Sequence, residues 1–386
     1  MERQGTDRIR LGMVGGGRDA FIGAVHRIAA RLDDRYALVA GCFSSSAEKS
    51  RSSGADLGLD PDRVYVSFAE MAECEAARSD GIEAVSIVTP NHLHAAAARE
   101  FLTRGIHVIC DKPMTATLEE ARALAKVATE SDALFILTHT YTGYPMIRQA
   151  GEMVAAGELG ALRLVQVEYA QDWLTEPVEQ SGAKQAAWRV DPAQSGAGGC
   201  IGDIGTHAFN LACTVTRAIP SALSADLHTF VPGRRLDDNA HVMMRYDSGM
   251  RGMLWASQVA AGCENGLRLR VFGTAGGLDW SQEDPNVLWH RPYGAAGRRL
   301  TRAGAGSSAA AGRLCRVPAG HPEGYLEAFA NLYSEAAAAI EAHHKGQTVP
   351  AEVQYAGTAE GLAGLVFVDA CVRSSRQNGD WVALEI

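Results

Sequence analysis

The first 140 residues obey one strong rule: short apolar runs alternate with helix-like stretches. IRLGMVG (9–15), YALVAGCF (36–43), AVSIVT (84–89), HVIC (107–110) and LFILT (134–138) are separated by segments such as HAAAAREFLTRG and LEEARALAKVATE. Strands apolar on both faces, each followed by a helix, specify successive βαβ units and a parallel sheet covered on both sides. From about residue 161 the rule changes. ALRLVQVEYAQDW, SALSADLHTFV, AHVMMRYDSG, MRGMLWASQV, GLRLRVFG and GGLDWSQ follow one another with glycine-containing turns between them, which predicts half-buried antiparallel strands. A helix is expected over about 203–216, and a helical pair, HPEGYLEAFANLYSEAAAAIEAHH and QYAGTAEGLAGLVFVDACVRSS, near the C-terminal end. The expected division is 1–142 and 143–386. RPYGAAGRRLTRAGAGSSAAAGRLC (291–315) lacks periodicity and reads as a flexible surface excursion.

Composition narrows the partners. A chain of 386 residues, 47% hydrophobic and 21% charged, suffices for roughly two or three domains. With 36 basic against 45 acidic residues and a formal charge of -9, it carries no electrostatic footprint for nucleic acid. The start, MERQGTDR, lacks the apolar core of a signal peptide, and nowhere do 18 apolar residues stand together, so the expectation is a cytoplasmic chain without a membrane partner. The eight cysteines form no C-x-x-C, which argues against a zinc knuckle and a disulfide framework. No metal site is expected.

The first strand ends in GGGRDAFIGAVHR, where Gly15 and Gly17 supply two glycines of a G-x-G-x-x-G turn that brings backbone N–H groups and a helix start to a pyrophosphate. Ala20 stands at the third position; Gly23 would require a turn lengthened by three residues. The second strand ends in CFSSSAEKS, with no acid at its tip to accept both ribose hydroxyls. Ser44 and Ser45 with Lys49 suit a 2′-phosphate, which favours NADP, although serines also accept the ribose of NAD and Glu48 is within reach if the helix begins early.

Two further signals lie at strand ends, where open parallel sheets bind ligands: VTPNHLH (88–94) and CDKPMT (110–115). Asn91 reads as a helix cap or a ligand contact, and Pro113 as a turn. Lys112, one residue beyond an apolar strand, points an ammonium at that edge. In GDIGTHAFNL (202–211), Asp203 and His207 stand at i and i+4, on one face of a helix. Imidazole suits removal of an alcohol proton near neutral pH as hydride leaves the same carbon. Lys112 would stabilise the alkoxide, Asp203 would orient the substrate or hold the ring, and Gly199, Gly202 and Gly205 would leave room. The plainer reading is a capping Asp203 and a core His207.

The ordered set of GxG, TPNHLH, DKP and GDIGTHAFNL resembles the glucose–fructose oxidoreductase/inositol dehydrogenase/rhizopine catabolism (Gfo/Idh/MocA) family over essentially the whole chain, with WRVDP (188–192) and GHPEGYLEAFANLY (320–333) similar to a bacterial subgroup. The resemblance implies an α/β N-terminal Rossmann domain and an α+β C-terminal domain with a large, open, mainly antiparallel sheet used in oligomerisation, as a homodimer or homotetramer. It implies NAD or NADP as cofactor and hydride transfer at a secondary hydroxyl of a sugar, glycoside or inositol. The catalytic roles carry to Lys112, Asp203 and His207, and the cofactor contacts to Gly15, Gly17, Arg18, Ser44, Ser45, Lys49, Thr89, Pro90, Asn91, His94, Asp111 and Lys112. The usual Glu-Lys-Pro reads Asp111-Lys112-Pro113. His94, Tyr141, Trp173, Trp188, Arg189 and His321 are the further candidate substrate contacts, offering aromatic faces and hydrogen-bonding groups to a polyol, and Arg189 suits an anionic substituent. Two other readings use the same motifs: a glycosidase working through transient oxidation and elimination with a retained nicotinamide, and a cofactor-binding sensor without catalysis.

Overall fold

A computed structural model describes residues 8–18, 20–182 and 184–385, apart from the Lys184 side chain; the polar start 1–7 lies outside them. The chain forms two compact units, Met1–His139 with Phe329–Leu362, and Thr140–Ala328 with Ala363–Ile386. The first stretch of the first unit ends at His139. Residues 329–362, assigned from sequence to the second domain, belong instead to the first unit.

In the first unit the strands are β1 (Ile9–Gly15), β2 (Tyr36–Cys42), β3 (Ala84–Val88), β4 (His107–Asp111) and β5 (Phe135–Thr138). Between them run helices α1 (Phe21–Leu32), α2 (Ala47–Asp56), α3 (Phe68–Ala76), α4 (His94–Leu102) and α5 (Leu118–Glu130). All pairings are parallel, in the order β2-β1-β3-β4-β5. The order reverses between β1 and β3, so their carboxyl ends open a crevice of the kind that receives ligands in such sheets.

The second unit begins with α6 (Pro145–Ala155), β6 (Leu162–Ala170), α7 (Lys184–Arg189), α8 (Pro192–Ser195) and α9 (Thr206–Thr216). Strands β7 (Ala222–His228), β8 (Asn239–Arg245), β9 (Arg251–Ser257), β10 (Gly266–Gly273), β11 (Gly276–Ser281), β12 (Val287–Pro292) and β13 (Arg298–Thr301) follow. The chain then forms α10 (Ala309–Gly312), α11 (Tyr325–His344), α12 (Thr358–Arg376) and β14 (Val382–Ala383). The sheet order is β13-β12-β11-β10-β6-β9-β8-β7-β14, antiparallel except between β6 and β9. Alternation puts Val165, Val167, Val242, Leu254 and Leu269 into the core with Phe209 and Phe367, whose rings stack at 4.2 Å. It leaves Leu164, Met253 and Met243 on the other face, the last 60% exposed.

The 291–315 segment is not a structureless excursion. It supplies β13 and α10, and Arg302, 2% exposed, donates to Asn286 Oδ1, Glu323 Oε1 and the main-chain carbonyls of Val317, Pro318 and His321. A buried ion pair with its remaining protons matched to carbonyls fixes a loop whose composition gives no periodicity to read.

Candidate active site

In the first unit the glycine turn is built for close approach. Gly15 and Gly16 have φ of +82° and +69°, and a Cβ on Gly15 would stand 2.8 Å from the Val88 carbonyl oxygen. The third packing glycine is Gly23, not Ala20: a Cβ there would lie 2.3 Å from Gly16 Cα. The lengthened turn is therefore the real one, and Ala20 is the N-cap of α1, without a side-chain cap and with no acid in the first turn. The N–H groups of this helix start, and the Thr89 hydroxyl, buried with no hydrogen-bond partner, fit a dinucleotide's pyrophosphate and ribose. Arg18 binds Asp56 through Nη2 at 2.7 Å, an exposed pair, and its N–H donates to Ser53 Oγ at 3.2 Å. At the β2 end, Ser44 Oγ accepts from Ser46 N–H, Ser46 caps α2, and Ser45 and Lys49 are exposed.

Pro90 precedes a 3₁₀ turn, Asn91–Leu93, so buried Asn91 opens that turn and does not cap α4. His94 is fully buried, its Nδ1 2.8 Å from the Pro113 carbonyl oxygen and its Nε2 2.8 Å from that of Thr89. It braces the ends of β3 and β4 from beneath. Asp111 Oδ1 accepts from Lys112 N–H at 3.0 Å and from Thr138 Oγ1 at 3.2 Å, and the Lys112–Pro113 peptide is cis. Burial pushes the Asp111 carboxyl up, but His26, Lys112 and His94 outweigh it and hold it well below the usual carboxylate range. His139 is a residue the sequence reading missed: burial, then the Lys112 ammonium, push its imidazole down to about 3 and keep it neutral.

In the second unit, Ile201–Gly205 winds as a π turn that runs into α9, two residues earlier than expected. Such widened turns recur at functional sites. The cap is Asp237: its Oδ1 accepts from Gly199 N–H at 2.7 Å, its Oδ2 from Ile201 N–H at 2.8 Å and its carbonyl from Cys200 N–H at 2.8 Å. Asp203 is thus not the capping residue. Its Oδ2 accepts from Arg189 Nε at 3.1 Å and Gln258 Nε2 at 2.9 Å. His207 is 9% exposed, with the Tyr141 ring edge-on at 4.9 Å. The glycines do not all leave room: a Cβ on Gly199 would meet the Asp237 carbonyl oxygen at 2.2 Å and one on Gly205 the Ile201 side chain at 2.7 Å, whereas Gly202 alone of the three faces open space.

A polar row continues from this pair. Tyr141 and Tyr169 join hydroxyl to hydroxyl, Tyr169 donates to Asn265 Oδ1 at 2.8 Å, Gln171 Nε2 donates to the same oxygen at 2.8 Å, and Trp173 Nε1 donates to Gln171 Oε1 at 3.1 Å. Arg189 lies over Trp188 at 4.3 Å and near Trp173 at 5.9 Å, while its Nη1 donates to Gln185 Oε1 at 2.8 Å. Asp203 and the tryptophans already engage this guanidinium. His321 is exposed, and its carbonyl, not its ring, is what Arg302 holds. Gln171, Tyr169, Asn265, Gln258 and Asp237 escaped the sequence reading because isolated amides, a strand tyrosine and a loop acid carry no motif.

The family descriptions "Oxidoreductase family, NAD-binding Rossmann fold" and "GFO/IDH/MocA C-terminal domain" match residues 9–139 and 147–279. An uncharacterized oxidoreductase, YfiI, of Bacillus subtilis is 35% identical, covering 99% of this chain and 98% of its own. A crystal structure of an oxidoreductase from Sinorhizobium meliloti is 59% identical with a TM-score of 0.88, covering 97% of this chain and 99% of that one. An inositol dehydrogenase homolog from Azotobacter vinelandii, complexed with NADH and myo-inositol, is 38% identical with a TM-score of 0.92 over 98% of both chains.

Proposed function

The chain belongs to the GFO/IDH/MocA oxidoreductase family and is an NAD(P)-binding oxidoreductase, and from that premise we propose that it oxidises a secondary hydroxyl of a sugar, glycoside or inositol. The observation that carries this is the capping of the 201–216 helix by Asp237, because it releases Asp203 from the structural role that an acid at a helix start ordinarily fills. Asp203, anchored by Arg189 and Gln258, orients the substrate, and His207, against Tyr141, takes the hydroxyl proton. Lys112, on the end of β4 beside the ionised Asp111, stabilises the developing alkoxide. A bound nicotinamide would supply the hydride acceptor. Gly15, Gly16, Gly17 and Thr89 hold the dinucleotide, and His94 sets the two strand ends that flank it.

The test uses a panel of myo-inositol, aldoses and aryl glycosides with NAD and NADP, read as reduced-nicotinamide absorbance and as aglycone release. Lys112→Met and His207→Ala are expected to keep cofactor affinity and lower turnover at least about 100-fold. Turnover near wild type in either variant removes that residue from the mechanism, and aglycone release without accumulating reduced cofactor replaces the dehydrogenase reading with the glycosidase.

We also infer self-association through the open sheet face, where exposed Met243 and Met253 are register partners on neighbouring strands and Leu164 is 48% exposed. Light scattering at micromolar concentration is expected to give a dimer or tetramer that Met243→Lys with Met253→Lys weakens; a wild-type monomer refutes it.

A further inference from the structure

One histidine that the proposed chemistry does not use faces the Asp111 carboxylate. His26, on the apolar face of α1 and fully buried, has its Nδ1 2.8 Å from Tyr333 Oη, and Tyr333 Oη lies 2.6 Å from Ser86 Oγ on β3. Tyr36 Oη donates to the Tyr333 main-chain oxygen at 2.9 Å, and Phe329 sits edge-on to the imidazole at 4.6 Å, so the ring has one orientation. The other nitrogen, Nε2, has no hydrogen-bond partner and faces Asp111 Oδ1 at 3.8 Å. That is too long for a hydrogen bond and close enough for a strong electrostatic contact in a buried setting. A buried ring nitrogen left without a hydrogen-bond partner is costly, so its aim at the carboxylate that accepts the Lys112 N–H calls for a reason.

We propose that His26 is a positioning residue for Lys112: acting through Asp111, it keeps that carboxylate ionised and aimed so that the ammonium has a fixed counter-charge. The proposal rests on the role given to Lys112 above. The hydroxyl chain allows two directions, and the proposal takes the one in which Ser86 donates to Tyr333 and Tyr333 donates to Nδ1, which leaves the imidazole proton on Nε2, pointing at Asp111. The other titratable groups facing Asp111 are His94 from α4, His139 after β5, Cys110 on its own strand and Tyr333 from α11. His139 is held neutral, Cys110 and Tyr333 are pushed up by burial, and His94 is pushed down by it, so His26 Nε2 faces the carboxylate alongside Lys112 and the Thr138 hydroxyl.

The test needs no substrate. The chain has five lysines, so reductive methylation with 13C-formaldehyde yields few signals, and Lys112→Met assigns the one that matters. Full-length wild type, His26→Phe, His26→Gln and Tyr333→Phe are titrated from pH 4 to 11, and NADH binding measured separately near pH 8 certifies each fold. In wild type the Lys112 signal is expected to report only its own titration. In His26→Phe a second, acidic step from Asp111 should enter the window above pH 4, with the Lys112 midpoint at least half a unit lower. His26→Gln, which keeps an N–H donor, should recover at least half of both changes, and Tyr333→Phe, which leaves the ring but frees its tautomer, should fall between. A wild-type titration curve in folded His26→Phe overturns the proposal; should that variant not bind NADH, a wild-type curve in Tyr333→Phe overturns it equally. Failure of the catalytic reading is separate, since it appears as undiminished turnover in Lys112→Met whatever the titrations give.

Discussion

Two helices in this molecule begin in opposite ways. The start of α1 has no side-chain cap and no acid in its first turn, and the glycines before it bring the backbone close to β3. The π turn before α9 has the N–H groups of Gly199, Cys200 and Ile201 engaged by one residue from elsewhere in the chain, Asp237. A helix start carries unsatisfied donors and partial positive charge either way. Leaving it open makes an anion site, which suits a dinucleotide. Closing it from inside sets the side chains of the first turns free for chemistry, and Asp203 and His207 stand there.

The largest expected effect comes from closing the open start. Gly23→Val puts a branched side chain where a Cβ already lies 2.3 Å from Gly16 Cα and 2.6 Å from its carbonyl oxygen, and backbone cannot yield there cheaply. Fluorescence titration with NADH is expected to show affinity at least about 100-fold weaker, roughly 2.7 kcal/mol. Affinity within threefold of wild type would mean that the turn does not hold the pyrophosphate.

Opening the closed start should act on stability and not on cofactor affinity, and its effect depends on pH. Burial raises the Asp237 carboxyl from 3.8 to about 6, against the pull of the Ile201 and Gly199 N–H groups. A folded value above the unfolded one means that this residue's stabilising contribution is complete below about pH 4 and is lost as pH rises through 6, by about 3 kcal/mol at most for two units. Asp237→Asn does not titrate. In urea denaturation, the stability of wild type relative to Asp237→Asn should therefore fall between pH 4 and 6 and level off above it, and parallel curves for the two proteins would remove Asp237 from this role.

The same contrast explains what the sequence could disclose. Periodicity exposed β1 to β5 and most of the second sheet, because apolar alternation is local. It missed β12 and the short edge strands β13 and β14, and it did not reveal that β6 pairs in parallel with β9. Lys112, Asp203 and His207 could be nominated from sequence because each stands in a motif with its own backbone context. Asp237 and His26 were not, since their meaning comes from partners 36 and 307 residues away in the chain. A histidine on the apolar face of α1, beside Val25 and Ala29, was the one available hint at the second of these. Gly23 was visible three residues beyond the ordinary third position, but only its three-dimensional approach to Gly16 tells a lengthened turn from an ordinary one.

The smallest predicted effect concerns which dinucleotide the open start prefers. Ser45 is exposed just beyond β2, Ser44 Oγ accepts from Ser46 N–H at 3.1 Å, and Lys49 lies exposed in the first turn of α2. Hydroxyls with a nearby ammonium suit the dianionic 2′-phosphate of NADP, whereas a carboxylate at this strand end repels it and accepts the two ribose hydroxyls of NAD. Glu48 stands in the same first turn, with its side chain exposed, and competes for that role. If the serines and Lys49 form the pocket, Ser45→Asp should shift the ratio of NAD to NADP affinities toward NAD by about tenfold, roughly 1.4 kcal/mol, without changing the sugar or polyol oxidised. Dissociation constants for both cofactors, measured on both proteins, decide the matter. A wild type that already favours NAD by more than tenfold transfers the ribose contact to Glu48, and Glu48→Gln should then be the variant that loses NAD.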